Sequence, residues 1–384
     1  MTAPRRGFSG PGGWQCSKDA ADMTSARDQE EKDRVDAGPA LSERERQVLD
    51  AVVRTYVDTA EPAGSRTVSC RFELGVSPAT VRNTMSDLED KGYLYHPHAS
   101  AGRVPTDRAY RFFVDQMIRP ATLSDIERET LTRELDLSGS SAVESLVRRA
   151  TRALSVLSAE LGVAIAPSLR EAILEKLDLI RVSSEKVLMV ATLGGGLART
   201  VYVDLPGDVP QDTLLTVATA INERLAGLSL QDIRRSLPER LRDARTDEPG
   251  ADELMNIFMQ AGAELFDPAL AESGEVHLGK TSVLAAQPEF QGGDRLKGLI
   301  ELTERRDLLA TVLGSREHAS GLQITIGGEH GAEALSDFTL VTAEYRVGSL
   351  KGVIGVIGPT RMPYEKVIAI VDYTSSLVNR ILAS

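Results

Sequence analysis

The chain has 384 residues, 42% hydrophobic and 26% charged, which excludes wholesale disorder and predicts two or three domains with cores of their own. Its 44 Lys and Arg against 56 Asp and Glu leave a formal charge of −12. That balance excludes a generally basic, phosphate-coating protein but leaves room for one small basic surface on an acidic body.

Residues 1–40 are rich in Gly, Pro, Ser and charge, show no apolar period, and read as a disordered extension. Met23 inside it offers a later translation start. Arg5 and Arg6 are followed by glycine-rich sequence instead of the apolar core of a secretory signal. With two cysteines, Cys16 and Cys70, a disulfide framework is ruled out and a reducing cytoplasm is expected. No apolar run reaches the roughly 18–20 residues that would span a bilayer.

Ordered sequence begins with a capping box, Ser42 with Glu45. Val48, Leu49, Val52, Val53 and Tyr56 then follow at helical spacing, and turn chemistry at 61–64 ends that helix. Ser65 is expected to cap a short second helix over 66–72, where Cys70 reads as a small buried hydrophobe. A tight turn with Gly75 leads to Ser77-Pro78, an N-cap followed by Pro at N1. The third helix stacks Val81, Met85 and Leu88 on one face, and Gly92 stops it. Residues 93–95 are strand-like, 99–103 form a small-residue loop tip, and Thr106 starts another helix.

Helix, short helix, Gly turn, helix and hairpin is the order of a winged helix-turn-helix over 41–118, in which the third helix enters the major groove. With Val81, Met85 and Leu88 turned inward, Ala79, Thr80, Arg82, Asn83 and Ser86 remain on the open face. Arg82 suits guanine O6 and N7, and Asn83 suits adenine N6 and N7. Ser65, Arg66, Thr67 and Ser77 join the DNA-binding set, the hydroxyls and helix-start N–H groups suiting phosphate oxygens. His98, Ser100 and Arg103 on the wing are expected to approach a phosphate or the minor groove.

Beyond the head, 141–161 reads as one long amphipathic helix, and strands 187–193 and 197–204 are joined by Gly194-Gly195-Gly196. Residues 206–295 turn helical, with apolar faces at Leu214, Ala218, Ile221 and Leu225 and at Leu254, Ile257, Phe258, Ala261 and Leu265. Strand patterns return at 322–327, 338–346 and 351–358, and 364–382 is a closing helix. A helical block between strand-bearing blocks predicts an insertion, 206–295, within an α+β domain made of 119–205 and 296–384. The apolar helix faces of 206–295 are nominated for dimerisation, with the helix 141–161 as second candidate.

One motif supports a rival. Gly274-Glu275-Val276-His277-Leu278-Gly279-Lys280-Thr281 satisfies the phosphate-loop pattern of nucleotide hydrolases. Such a loop needs a buried strand before it and a phosphate-holding helix after it. Here 263–268 reads as a helix end, and Pro288 follows soon after. His96 and His98 have no metal-ligand company, and His277, His318 and His330 lack a nucleophile partner. No catalytic residue, cofactor or metal is assigned.

Several strings carry a family resemblance. Glu61-Pro62-Ala63-Gly64-Ser65-Arg66-Thr67, Ser77-Pro78-Ala79-Thr80-Val81-Arg82-Asn83, Asp87-Leu88-Glu89, Gly92-Tyr93-Leu94 and Ser100-Ala101-Gly102-Arg103-Val104-Pro105-Thr106 resemble the head of the bacterial heat-inducible transcription repressor HrcA family. Ile354-Gly355-Val356-Ile357-Gly358-Pro359-Thr360-Arg361-Met362 resembles that family's C-terminal block, and Gln287-Pro288-Glu289-Phe290 its middle. The resemblance runs from about residue 41 to the end; 1–40 depart from it. It implies a winged-helix head, a GAF-like domain and a mainly helical dimerisation domain inserted into the latter. It also implies a homodimeric, cytoplasmic, non-enzymatic repressor of chaperonin and DnaK-type chaperone operons, relieved on heat stress. Its operator would be double-stranded DNA with an inverted repeat, and a GroEL-type chaperonin would hold it active. A third reading makes the GAF-like body a small-ligand sensor, but its inward positions Val187, Met189, Ile324 and Val353 are apolar and favour a scaffold. The acidity lies mainly outside the head, since 41–118 carry 10 basic and 11 acidic residues.

Overall fold

A computed structural model describes residues 41–98, 101–135, 143–167, 169–205, 207, 209–242, 251–266, 276–316 and 321–383. The expected extension 1–40, Ser100 and Gly274 lie outside the described residues. The fold mixes helices with antiparallel sheets and divides into two compact units. Of the described residues, one is built from 41–55 and from Glu61 to Ala109, the other from Tyr56–Ala60 and from Tyr110 onward.

Helix α1 (Glu43–Thr59), which belongs to the first unit up to Thr55, starts at the expected capping box. The Ser42 amide donates to Glu45 Oε2 at 2.8 Å and the Glu45 amide to Ser42 Oγ at 3.3 Å. Helix α2 (Ser65–Arg71) begins one residue earlier than predicted. Its N-cap is Gly64, with no side-chain bond, so Ser65 does not cap it. Cys70 is exposed, not buried, because only Val68 of this short helix points into the core. Helix α3 (Pro78–Asp90) has the predicted Ser77 cap and buries Val81, Thr84, Met85 and Leu88. Gly92, at φ +77°, reverses the chain so that the Tyr93 amide reaches the Leu88 carbonyl at 2.9 Å. Strands β1 (Leu94–Tyr95) and β2 (Val104–Pro105) pair antiparallel, and Ala63 bridges Arg103. Gly102 is required at that crossing, since a Cβ there would lie 2.5 Å from the Ala63 backbone. Helix α4 (Asp107–Gln116) follows Thr106, whose hydroxyl accepts from the Ala109 amide at 3.3 Å.

The second unit takes the end of α1 and most of α4, and continues with α5 (Asp125–Leu135) and α6 (Val143–Ser158). The helix predicted to run to 161 stops at Ser158, because Ala159 takes φ +60° and turns the chain into strand β3 (Leu161–Ile165). Next come β4 (Leu174–Ser183), β5 (Lys186–Leu193), β6 (Leu197–Asp204), α7 (Gln211–Leu225), α8 (Leu230–Arg242) and α9 (Ala251–Leu265). The chain then forms β7 (Val276–Leu278), α10 (Thr281–Ala285), α11 (Gly293–Glu304), α12 (Arg306–Gly314), β8 (Leu322–Ile326), β9 (Phe338–Val347), β10 (Leu350–Pro359) and α13 (Tyr364–Leu382). A five-stranded antiparallel sheet has the order β7-β3-β10-β9-β8. One face buries Leu161, Val163, Leu340, Val353 and Ile357 against Leu284, Leu299, Leu302, Leu309 and Leu313 of α10–α12. Helices α6 and α13 cover the other. The near-continuous apolar run of β10 reflects this two-sided burial.

Between Ile165 and Val276, in neighbouring strands, the chain leaves to build a second lobe. There the sheet β4-β5-β6 packs Leu177, Val187, Met189, Ala191 and Val203 onto Leu214, Ile221, Ile233, Leu254 and Phe258. This moves the boundaries expected at 206 and 295. The strands 174–204 share a core with α7–α9, and Val276, Leu284 and Phe290 belong with the five-stranded sheet. Val187 and Met189 therefore cannot line a common pocket with Val353. The helix faces nominated for dimerisation are also used up inside the protomer: Leu214, Ile221, Leu225, Leu254, Phe258 and Leu265 are buried in this lobe, and Leu146, Val147, Ala150 and Leu154 lie buried on α6. Exposed apolar groups sit instead on the open face of the three-stranded sheet, where Ile180 and Tyr202 flank Leu188 in one cross-strand row.

Candidate nucleic-acid interface

Helix α3 is set by its cap and by the four side chains it buries. Ser77 Oγ accepts from the Thr80 amide at 3.2 Å and lies 3.0 Å from Thr80 Oγ1, and Thr84 bonds back to the Thr80 carbonyl at 3.2 Å. Opposite the buried stripe, Ala79, Arg82, Asn83 and Ser86 are exposed, while Thr80 is half-buried. Two of the sequence candidates on this face, Arg82 and Asn83, thus offer a guanidinium and a carboxamide to solvent. Helix α2 packs against α3, with Arg66 and Thr67 exposed and Ser65 half-buried.

The wing differs from expectation at Arg103. Its side chain is only 11% exposed, and Nη2 pairs with Glu89 of α3 at 2.8 Å. The backbone pairing of Arg103 with Ala63 turns the side chain toward the head. His96 Nδ1 lies 2.9 Å from the other oxygen of Glu89, so one carboxylate ties both sides of the hairpin to the third helix. The sequence reading missed Glu89. Its string Asp87-Leu88-Glu89 was in view, but the partners come from residues across the hairpin. His98 is exposed, and its carbonyl accepts from the Ala101 amide at 2.9 Å. Lys91 and Glu45 close the unit at 2.6 Å, and the Lys91 ammonium holds the Glu45 carboxyl below its ordinary range.

The phosphate-loop pattern does not form its loop. Its middle, Val276–Leu278, is a strand paired with β3, and α10 behind it has five residues. Gly279 has a packing reason: a Cβ there would meet Ser155 Oγ of α6 at 2.0 Å. Among the described residues, no three His, Cys, Asp or Glu side chains are grouped to hold a metal ion, and no helix is long and apolar enough to cross a membrane.

Comparison with known proteins places the chain in a family. The heat-inducible transcription repressor HrcA of Chlorobium chlorochromatii (strain CaD3) is 35% identical over 348 residues, covering 89% of this chain and 98% of that one. The protein of the same description from Geobacter sulfurreducens is 34% identical over 345 residues, again covering 89% and 98%. A crystal structure described as a hypothetical protein shares the fold, with a TM-score of 0.60 at 20% identity over 89% of this chain and 99% of that one. A family model described as HrcA protein C terminal domain matches residues 144–368. The class so defined is the transcription repressors, regulators of heat-shock genes and not enzymes, which removes the nucleotide-hydrolase rival. The chain belongs to the heat-inducible transcription repressor HrcA family.

Proposed function

We propose that the first unit is a winged helix-turn-helix head that reads an operator, with α3 in the major groove and the β1–β2 hairpin as the wing. The observation that carries this is the exposed face of α3, where Arg82, Asn83 and Ser86 stand opposite a fully buried apolar stripe. Arg82 and Asn83 read base edges. Ser65, Arg66, Thr67, Ser77, Ala79 and Thr80 approach the backbone, and His98 and Ser100 contact a phosphate or the minor groove. Arg103 acts from inside the head, holding the hairpin on Glu89.

The second unit is read as a GAF-like body carrying an inserted lobe. Dimerisation runs through the open face of the β4-β5-β6 sheet, where Ile180, Val182 and Tyr202 are 51%, 55% and 65% exposed. A two-fold dimer presents two heads, so the operator is an inverted repeat. The regulated genes are chaperonin and DnaK-type chaperone operons, the compartment is the cytoplasm, and a GroEL-type chaperonin is the partner that keeps the repressor active. The test is a gel shift with an inverted-repeat operator against scrambled DNA of equal length, with and without chaperonin. Selective retardation of the operator, increased by chaperonin, is expected. Equal retardation of both DNAs would remove the sequence-reading role.

A further inference from the structure

Arg316 follows α12 and turns under the five-stranded sheet, where it is 8% exposed. Its guanidinium donates from Nη1 to Thr342 Oγ1 at 3.0 Å and from Nη2 to Thr325 Oγ1, and among the described residues it meets no carboxylate. A guanidinium has five N–H donors, so hydroxyls that occupy two leave an edge suited to a two-point oxyanion. A buried charge without a counter-ion is costly. Burial accordingly pulls the Arg316 pKa down to about 10. Glu329, next to His330 in the chain, is already engaged: both its oxygens are held by Arg111, and one also accepts from the Ile326 amide at 2.8 Å. His330 adds no second positive charge at neutral pH, since burial and then the Arg316 charge lower its pKa. Strand β8 is the sheet edge, and Gln323 and Thr325 on it are half-buried, so a solute approaches from that edge.

We propose that Arg316, oriented by Thr325 and Thr342, binds the carboxylate or phosphate of a small ligand at the β8 edge of the five-stranded sheet. The two hydroxyls fix the plane of the guanidinium, and the ligand oxygens supply the missing negative charge. Ligand binding then adds to the stability of this domain by mass action.

The test uses the purified full chain at fixed pH and ionic strength, with chloride replaced by inorganic phosphate or by acetate, followed by thermal unfolding. Phosphate also raises melting temperatures non-specifically, so the readout is the difference between wild type and Arg316→Met. Wild type is expected to gain about 3 °C more than the variant in at least one anion. In chloride the variant should melt no lower than wild type, because the substitution removes an uncompensated charge. A gain in phosphate alone assigns a phosphorylated ligand, and a gain in acetate alone assigns a carboxylic acid. Should Arg316→Met fail to fold, equilibrium dialysis of labelled phosphate and acetate against Arg316→Lys and Thr342→Val replaces it, with affinity expected to fall about 5-fold or more in each. Equal anion shifts in wild type and variant, or dialysis affinities unchanged by both substitutions, would overturn the site.

Discussion

Arg361 and Glu289, 72 residues apart in the chain, form a two-point ion pair inside the second unit, with Nε donating to Oε1 and Nη2 to Oε2 at 3.0 Å. The two strings that resembled the middle and the end of the HrcA family therefore meet in space. Gln287 of the same middle string donates to Glu160 Oε2 at 2.9 Å and to the Ala159 carbonyl at 2.8 Å. Arg361 also donates through Nη1 to the Val57 carbonyl at 2.6 Å, within the same unit.

Both partners of the pair are mostly buried, with side-chain exposures of 13% and 11%. Removing one partner strands the other, which in buried pairs costs about 3–5 kcal/mol. Glu289→Gln should therefore lower the urea-unfolding free energy by about 3 kcal/mol. The double variant Glu289→Leu with Arg361→Met should recover much of the loss, since no charge is then left buried. A loss below about 1 kcal/mol in the single variant would mean that solvent already screens the pair.

Glu160 has the opposite character. It is 2% exposed, and burial, only partly offset by Gln287 and the Arg361 charge, pushes its carboxyl pKa well above the ordinary 4.5. The folded chain thus keeps a proton that the unfolded chain releases near 4.5. The resulting stability is fully present below that pH and declines as pH rises toward the folded value. Glu160→Gln keeps an oxygen for Gln287 and removes the decline. Its advantage over wild type in denaturant unfolding should grow from pH 5 to pH 8; a constant difference at the two pH values would contradict the shift.

Local chemistry made much of this architecture legible. The capping box at Ser42, the Ser77-Pro78 helix start, the Gly92 stop and the strands of the C-terminal sheet each rest on neighbouring residues, and they fall where the pattern put them. Failures came where distant residues decide. Strand β4 alternates poorly in sequence because two register irregularities interrupt its pairing with β5. The apolar helix faces of α7 and α9 looked free for a partner, but strands outside the expected insert cover them. At the site, the open face of α3 could be read from helical period, whereas the inward turn of Arg103 depends on a pairing with Ala63 that no local pattern announces.

Gly279 and Lys280 separate packing from phosphate chemistry. The Gly279 position leaves no room for a methyl group against Ser155 of α6, and its amide donates to the Gly162 carbonyl at 2.8 Å. Gly279→Ala should cost about 1–3 kcal/mol through overpacking. Lys280→Ala should change stability by less than about 0.5 kcal/mol, as surface substitutions do. Nucleotide binding abolished by Lys280→Ala in a fluorescent-nucleotide titration would reinstate the loop.

Arg82 and Arg103 offer the sharpest contrast within the head, because one faces solvent and the other faces Glu89. Arg82→Ala should cost about 1–3 kcal/mol on the operator and relax preference at one base position, while leaving the unfolding transition nearly unchanged. Equal weakening on operator and random DNA would take Arg82 away from the bases. Arg103→Ala should instead lower the melting temperature of the head, since Glu89 loses a largely buried partner. Its salt dependence of binding should keep the wild-type slope, because a guanidinium engaged with a carboxylate releases no DNA counterion. A slope reduced by about one in Arg103→Ala, with unfolding unaltered, would turn this arginine outward to a phosphate after all.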